Sequence, residues 1–213
     1  LQLQPEEKIT AMIPNEKNEQ FKYFVMATRK GMIKKTLIAE YENIRTNGLA
    51  AIALNDGDEL IEVKSTNGDD NIVLVTKKAK CIVFHEKEIR ITGRKAFGVK
   101  GIRLASDDVV IGMQIKTQGD TLLVVSEYGM GKRTKLSEFR GTHRGTQGLA
   151  CYKLTEKTGE LVGAKLVDDD REIFIITNEG ILIRIEVSAI SNIGRVTSGV
   201  KLMNVDRESG VKV

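Results

Sequence analysis

The stretch Leu122-Leu-Val-Val-Ser-Glu-Tyr-Gly-Met-Gly-Lys-Arg-Thr-Lys-Leu136 places two short runs of β-forming residues on either side of a turn glycine, Gly129, and so reads as a hairpin. It recurs along the chain. Its first run, closing on a hydroxyl residue, matches Tyr23–Thr28, Ile72–Thr76 and Ile173–Thr177. The turn residue is Gly31, Ala79 or Gly180, and the second runs are Met32–Ile38, Lys80–Glu86, Gly131–Leu136 and Ile181–Val187. A polar connection then leads each time to an anchor glycine, at Gly48, Gly98, Gly148 and Gly199, spaced 50, 50 and 51 residues apart. Behind the anchors come third runs (Leu49–Leu54, Val99–Leu104, Leu149–Leu154, Val200–Val205) and fourth runs (Glu59–Val63, Val109–Met113, Glu160–Ala164 and the chain end). Four strands in about 50 residues is the unit of a β-propeller blade. The expected fold is therefore all-β: one domain over 1–213, with repeats at 21–70, 71–120, 121–171 and 172–213 and the tail of a fifth in 1–20. Such an array is an incomplete propeller. Each anchor glycine is expected to need a positive φ or a close approach of strands.

Composition agrees with a folded domain. Apolar residues are 41% and charged residues 29% of the 213, and no apolar run approaches the roughly 18 residues of a membrane-spanning helix. Leu1-Gln2-Leu3-Gln4-Pro5 has neither an initiator Met nor a secretory profile and reads as the start of an excised piece. The two cysteines, Cys81 and Cys151, form no CxxC, which fits a reducing compartment such as the cytoplasm.

The basic residues recur with the repeat. Arg94, Arg144 and Arg195 stand four positions before their anchor glycines, and Arg45 three before Gly48. A second set lies on the second runs: Lys34, Lys35, Lys80, Lys132, Arg133 and Arg184. Lys95, Arg140 and His143 add to the connections. Acids gather elsewhere, at Asn55–Glu59, Asp69-Asp70, Asp107-Asp108 and Asp168–Glu172, so the net charge of +4 understates the segregation. Regularly spaced cations suit a line of phosphates, and these thirteen basic residues are the expected DNA contacts. Neither a recognition-helix pattern nor zinc-finger spacing points to base reading.

Catalytic readings fail. Gly129–Thr134 lacks the spacing of a phosphate-binding loop, because Ser stands at 126 and Arg at 133. Cys81 with His85 does not complete a zinc site, and no nucleophile, base and orienting group fall in order. No catalytic residue, metal or cofactor is expected. The apolar residues Phe24, Val25, Val73, Val75, Leu123, Val125, Phe174 and Ile176 are expected to fill the space between blades.

Phe24-Val-Met-Ala-Thr-Arg-Lys-Gly-Met-Ile-Lys-Lys-Thr36, Gly93-Arg94 with Gly98-Val-Lys-Gly-Ile-Arg-Leu104, Gly129-Met-Gly-Lys-Arg-Thr134 with Thr146-Gln-Gly148, and Ile190-Ser-Asn-Ile-Gly-Arg195 closely resemble the C-terminal domain of the bacterial DNA gyrase A subunit. The resemblance runs along the whole chain. It implies a β-pinwheel, a propeller whose blades exchange strands, that binds and wraps duplex DNA on a basic rim and supports ATP-dependent negative supercoiling. It further implies a cytoplasmic, nucleoid-associated protein whose partners are duplex DNA, the remainder of the gyrase A polypeptide and, in an A2B2 holoenzyme, the ATPase-bearing gyrase B polypeptide. The cleavage Tyr and the ATPase would then lie outside this chain; none of Tyr23, Tyr41, Tyr128 or Tyr152 follows an Arg. The family's seven-residue box, Gln-Arg-Arg-Gly-Gly-Lys-Gly, has no intact copy. Its nearest echo, Thr142–Gly148, keeps Arg144, Gly145 and Gly148. The topoisomerase IV C-terminal domain and a propeller that binds an acidic protein partner are the alternatives.

Overall fold

The computed structural model describes residues 7, 9–13, 21–43, 48–206 and 208–213. The strands, numbered in chain order, form antiparallel blades. Blade one holds β1 (Tyr23–Thr28), β2 (Met32–Leu37) and β3 (Leu60–Thr66). Blade two holds β4 (Asn71–Thr76), β5 (Lys80–His85) and β7 (Val110–Ile115), and blade three β8 (Thr121–Ser126), β9 (Met130–Lys135) and β11 (Leu161–Val167). Blade four is the pair β12 (Glu172–Ile176) and β13 (Leu182–Glu186).

The third runs of the second, third and fourth repeats each serve the blade before. The two-residue strands β6 (Val99–Lys100), β10 (Leu149–Ala150) and β14 (Val200–Lys201) pair with β2, β5 and β9, giving the orders β3-β1-β2-β6, β7-β4-β5-β10 and β11-β8-β9-β14. A sequence repeat is thus not a structural blade; the strand exchange that the resemblance implied makes each of the first three blades depend on the next repeat. The expected third strands are correspondingly short, because only two residues of each run reach the neighbouring ladder before the chain turns inward.

The anchor glycines make that crossing possible. Gly98, Gly148 and Gly199 have φ of 85°, 70° and 72°, in the left-handed region. A Cβ on Gly148 would lie 2.5 Å from the Cys81 oxygen of β5, and one on Gly98 or Gly199 would strike the Ile33 or Gly131 oxygen in the same way. Gly48 shares the conformation (φ 74°), but nothing lies within 4 Å of its Cβ position.

Blades stack face to face, so the first strand of an inner blade is apolar on both sides. In β4, Ile72 and Leu74 join the cluster with blade one (Val25, Ala27, Ile33), while Val73 and Val75 join the cluster with blade three (Leu122, Val124, Leu161). This explains the unbroken apolar runs, which a strand buried on one face would not need. Leu123 and Val125 pack with Ile175 and Val187 of blade four. Phe24 is half-buried, edge-on to Tyr41 at 5.5 Å. Phe174 and Ile176 depart from expectation, being 61% and 52% exposed. They point to the face of blade four that no described element covers.

The strands β3, β7 and β11 converge, with Glu62 of β3 linking them: its carboxylate accepts from the Met113 N–H at 2.8 Å and pairs with Lys165 at 3.4 Å. The opposite edges, β6, β10 and β14, therefore form the outer rim. Because Gly148 combines a left-handed backbone with a backbone collision, Gly148→Ala is expected to cost roughly 3 kcal/mol or more. Gly48→Ala meets only the conformational penalty of about 1 kcal/mol. Urea denaturation of the two variants measures the difference.

Candidate nucleic-acid interface

Each connection leaves the end of a second strand, crosses to the blade before, and arches over that blade's second strand. The docking bonds repeat: Thr92 N–H donates to Lys35 O at 2.9 Å, Thr142 N–H to Val83 O at 2.8 Å, and Ile193 N–H to Arg133 O at 2.9 Å. Three arches, 92–98, 142–148 and 193–199, thus ride on β2, β5 and β9 and carry the recurrent arginines to the rim.

The arches cover four expected contact residues. Lys34, Lys35, Lys132 and Arg133 are 0%, 4%, 0% and 4% exposed, so the placement of these four on an open DNA surface is corrected. Lys34 Nζ donates to Ala51 O at 2.6 Å and to Arg94 O; Lys132 Nζ donates to Gly194 O at 2.6 Å and Arg195 O at 2.5 Å. Lys35 Nζ reaches Glu86 O at 2.8 Å and lies 3.6 Å from the Glu86 carboxylate, which itself accepts from Thr66 Oγ1 and the Asp70 N–H. Arg133 donates to Ile190 O at 2.9 Å and pairs with Asp169. A second strand covered by the next repeat's arch hides its middle residues whatever their polarity.

Burial of Lys34 and Lys132 opposite neutral carbonyls carries an electrostatic cost. It pushes both ammonium groups down from the ordinary 10.5 to about 8, with the Arg94 guanidinium adding to the effect at Lys34. The same burial raises the thiols, Cys151 to about 12 and Cys81 well above its usual value.

The arch arginines are partly structural. Arg144 donates from Nε to Glu88 O at 2.9 Å and from Nη1 to Lys100 O at 3.2 Å; Arg195 donates from Nη1 to Ala150 O at 2.9 Å and lies over the Phe139 ring. The Arg144 guanidinium therefore ties its arch, on blade two, to β6 of blade one, and the Arg195 guanidinium ties its arch, on blade three, to β10 of blade two. The three residues kept from the box have docking roles here: Arg144 as described, Gly145 through its N–H to Gly101 O at 2.6 Å, and Gly148 by fitting against Cys81. Arg94 is half-buried in the first arch.

Lys80, Lys95, Arg140 and His143 are exposed; His143 faces Glu88 at 3.4 Å. Arg184 is exposed and paired with Glu172. Arg45 lies outside the described residues. Two rim cations escaped the sequence reading. Lys100 sits opposite Met32 and Lys201 opposite Met130, at the ladder position where Lys80 sits opposite Ala150. Each of the three complete blades thus has one exposed lysine at the same point of its rim, on alternating sides of the pair, and none is in an ion pair among the described residues. The signal was available, since Lys100 and Lys201 both follow their anchor glycine by two.

The acids have separate work. Asp58 Oδ1 accepts from Lys30 N–H at 2.8 Å and Glu59 N–H at 2.9 Å, and Asp108 Oδ1 accepts from Lys78 and Val109 N–H, both at 2.9 Å. They hold hairpin turns rather than approach the rim ladder. Among the described residues, no group of His, Cys, Asp and Glu is placed to hold a metal, and no helix is long and apolar enough to cross a membrane.

A family model described as the DNA gyrase C-terminal domain, β-propeller, matches residues 22–67, 70–115, 120–168 and 171–211. The chain is 51% identical over 203 residues to the DNA gyrase A subunit of Clostridium acetobutylicum, covering 95% of this chain and 24% of that protein. It is 42% identical to the Salmonella typhimurium gyrase A protein over 211 residues, covering 99% and 24%. It therefore spans about a quarter of the length of these relatives. Among solved structures, the C-terminal domain of DNA topoisomerase IV matches with a TM-score of 0.91 at 29% identity, over 99% of this chain and 66% of that one. A DNA gyrase A C-terminal domain matches with 0.82 at 26%, over 91% and 64%.

The two buried lysines generate a pH signature. With a folded value near 8 and an unfolded value near 10.5, the unfolded chain holds more protons between these limits, so stability contributed by each lysine rises with pH across that window. Below about 8 the full cost of burying the charge remains. Denaturation at pH 7.5 and 10.5, comparing wild type with Lys34→Met and Lys132→Met, is expected to show a wild-type gain on the order of 3 kcal/mol per lysine that the variants lack.

Proposed function

The chain belongs to the DNA gyrase C-terminal domain family, and from that premise we propose that it binds duplex DNA without sequence preference along its outer rim and bends it. The observation that carries this is the rim lysine of each complete blade, Lys80, Lys100 and Lys201, held at one ladder position. DNA offers phosphates at regular intervals, and cations repeated once per blade around a curved edge meet them only if the duplex follows the curve. Exposed Lys95, Arg140 and His143 and the half-buried Arg94, Arg144 and Arg195 add cations on the connections. Bending a duplex of 20–30 bp by 40–90° costs roughly 1–6 kcal/mol, which several phosphate contacts together can supply.

Within a whole gyrase A polypeptide, the bent segment would set the handedness of the crossing offered to the strand-passage core and so favour negative supercoiling. The remainder of that polypeptide and the ATP-hydrolysing gyrase B polypeptide would be its partners. This chain contributes a surface and no catalytic group. The likeness to the topoisomerase IV domain supports the same kind of surface.

Each lysine that meets a phosphate should contribute about one unit to the slope of log K against log salt. Lys80→Ala, Lys100→Ala and Lys201→Ala are expected to lower affinity on every duplex sequence and to reduce that slope by about 1 each, as measured by fluorescence anisotropy. In the triple variant, the end-to-end energy transfer of a duplex shorter than about 150 bp should fall. Unchanged affinity and slope would refute the rim, and binding of an acidic protein in place of DNA would favour the interaction-module alternative.

A further inference from the structure

The residues Lys95, Gly145 and Val196 occupy one position in the three arches, each just after the recurrent arginine. Their backbone N–H groups are used differently. Gly145 N–H donates to Gly101 O at 2.6 Å, whereas those of Lys95 and Val196 have no acceptor among the described residues. Both residues are exposed, Val196 at 57%.

The difference tracks the residue beneath the arch. Under the first and third arches it is Lys34 or Lys132, fully buried; under the middle arch the same position is Ile82. A lysine there draws a carbonyl inward: Arg94 O accepts from Lys34 Nζ, and Arg195 O accepts from Lys132 Nζ at 2.5 Å. In a trans peptide the C=O and the following N–H point in opposite directions. Pulling Arg94 O and Arg195 O toward the blade therefore turns the N–H of Lys95 and of Val196 away from it, toward the rim. The ammonium also polarises the peptide, which makes that N–H a stronger donor. Ile82 can do neither, and its arch, in which Gly145 takes a left-handed φ of 77° that Lys95 and Val196 do not share, closes on Gly101 instead. Ile82 and its counterpart Ile183 also indicate that the lysine is not required for the strand to form.

We propose that Lys34 and Lys132 are positioning residues for DNA, fixing the arches so that the backbone N–H groups of Lys95 and Val196 each donate to a phosphate oxygen. This rests on the rim reading above and specifies where, between the rim lysines, the backbone touches the duplex. Backbone N–H groups are common phosphate donors and position a protein without reading sequence. The rim then has two kinds of arch, two that offer a polarised amide and one that is closed.

The test is an amide proton–nitrogen correlation spectrum of the chain, recorded as a 25-base-pair duplex is added at low salt to saturation. The Lys95 and Val196 amide protons are expected to move downfield, while Gly145, already bonded, moves much less. In Lys34→Ile the Lys95 shift should vanish and in Lys132→Ile the Val196 shift, each with a roughly fivefold loss of affinity. The salt slope should change by well under one unit, since no phosphate-paired side chain is removed. If the duplex binds with a steep salt slope but Lys95 and Val196 shift no more than Gly145, the inference is overturned and the rim reading stands. If no duplex binds at low salt, the rim reading falls and this inference with it. Should either variant fail to fold, the wild-type spectrum still overturns the inference if Lys95 and Val196 shift no more than Gly145.

Discussion

A backbone carbonyl of one blade lies where the side chain of the next repeat's anchor residue would be, and only glycine leaves it room. At Gly98, Gly148 and Gly199 this close approach seats the exchanged strand, and the exchanged strand completes the blade. Stability is therefore shared between neighbours as in other repeat proteins, but with a covalent crossing added to the packed interface. The same crossing draws the polar connection over the preceding blade, so the arches, and the basic residues on them, are placed by a contact at their far end.

Covering a second strand with a polar arch creates buried backbone groups that need partners. The chain answers in two ways. Lys34 and Lys132 reach up from the strand into carbonyls, and Arg144 and Arg195 reach back from the arch to the exchanged strand of the preceding blade. A buried ammonium facing only neutral acceptors is electrostatically expensive, as the low values of both lysines reflect. A group retained at such cost where isoleucine serves in other repeats points to a role at the surface above it.

The surface itself depends on separation of charge and not on its total. The chain is only mildly basic, with 33 Lys and Arg against 29 Asp and Glu. Asp58 and Asp108 hold hairpin turns, Glu62 lies where the inner strands converge, and Glu88 and Glu138 accept from the Arg144 and Arg195 N–H groups of the arches, while the unpaired lysines stand at the rim. At each ladder pair one side is lysine and the other Met or Ala, which avoids opposing like charges across the strands.

Much of this was legible in the order of residues. The period, the β runs, the turn and anchor glycines and the apolar filling of inner blades follow from local demands: a strand covered on both faces must be apolar throughout, and a left-handed, crowded crossing must be glycine. Which blade each third run joins was not legible from spacing, nor was the side on which a cation ends. Lys34 and Lys95 are both lysines in basic stretches, yet one is sealed beneath an arch and the other stands on it. That division is made by a contact about 60 residues away in the chain, from Lys34 to Arg94, and only packing in three dimensions brings the two together.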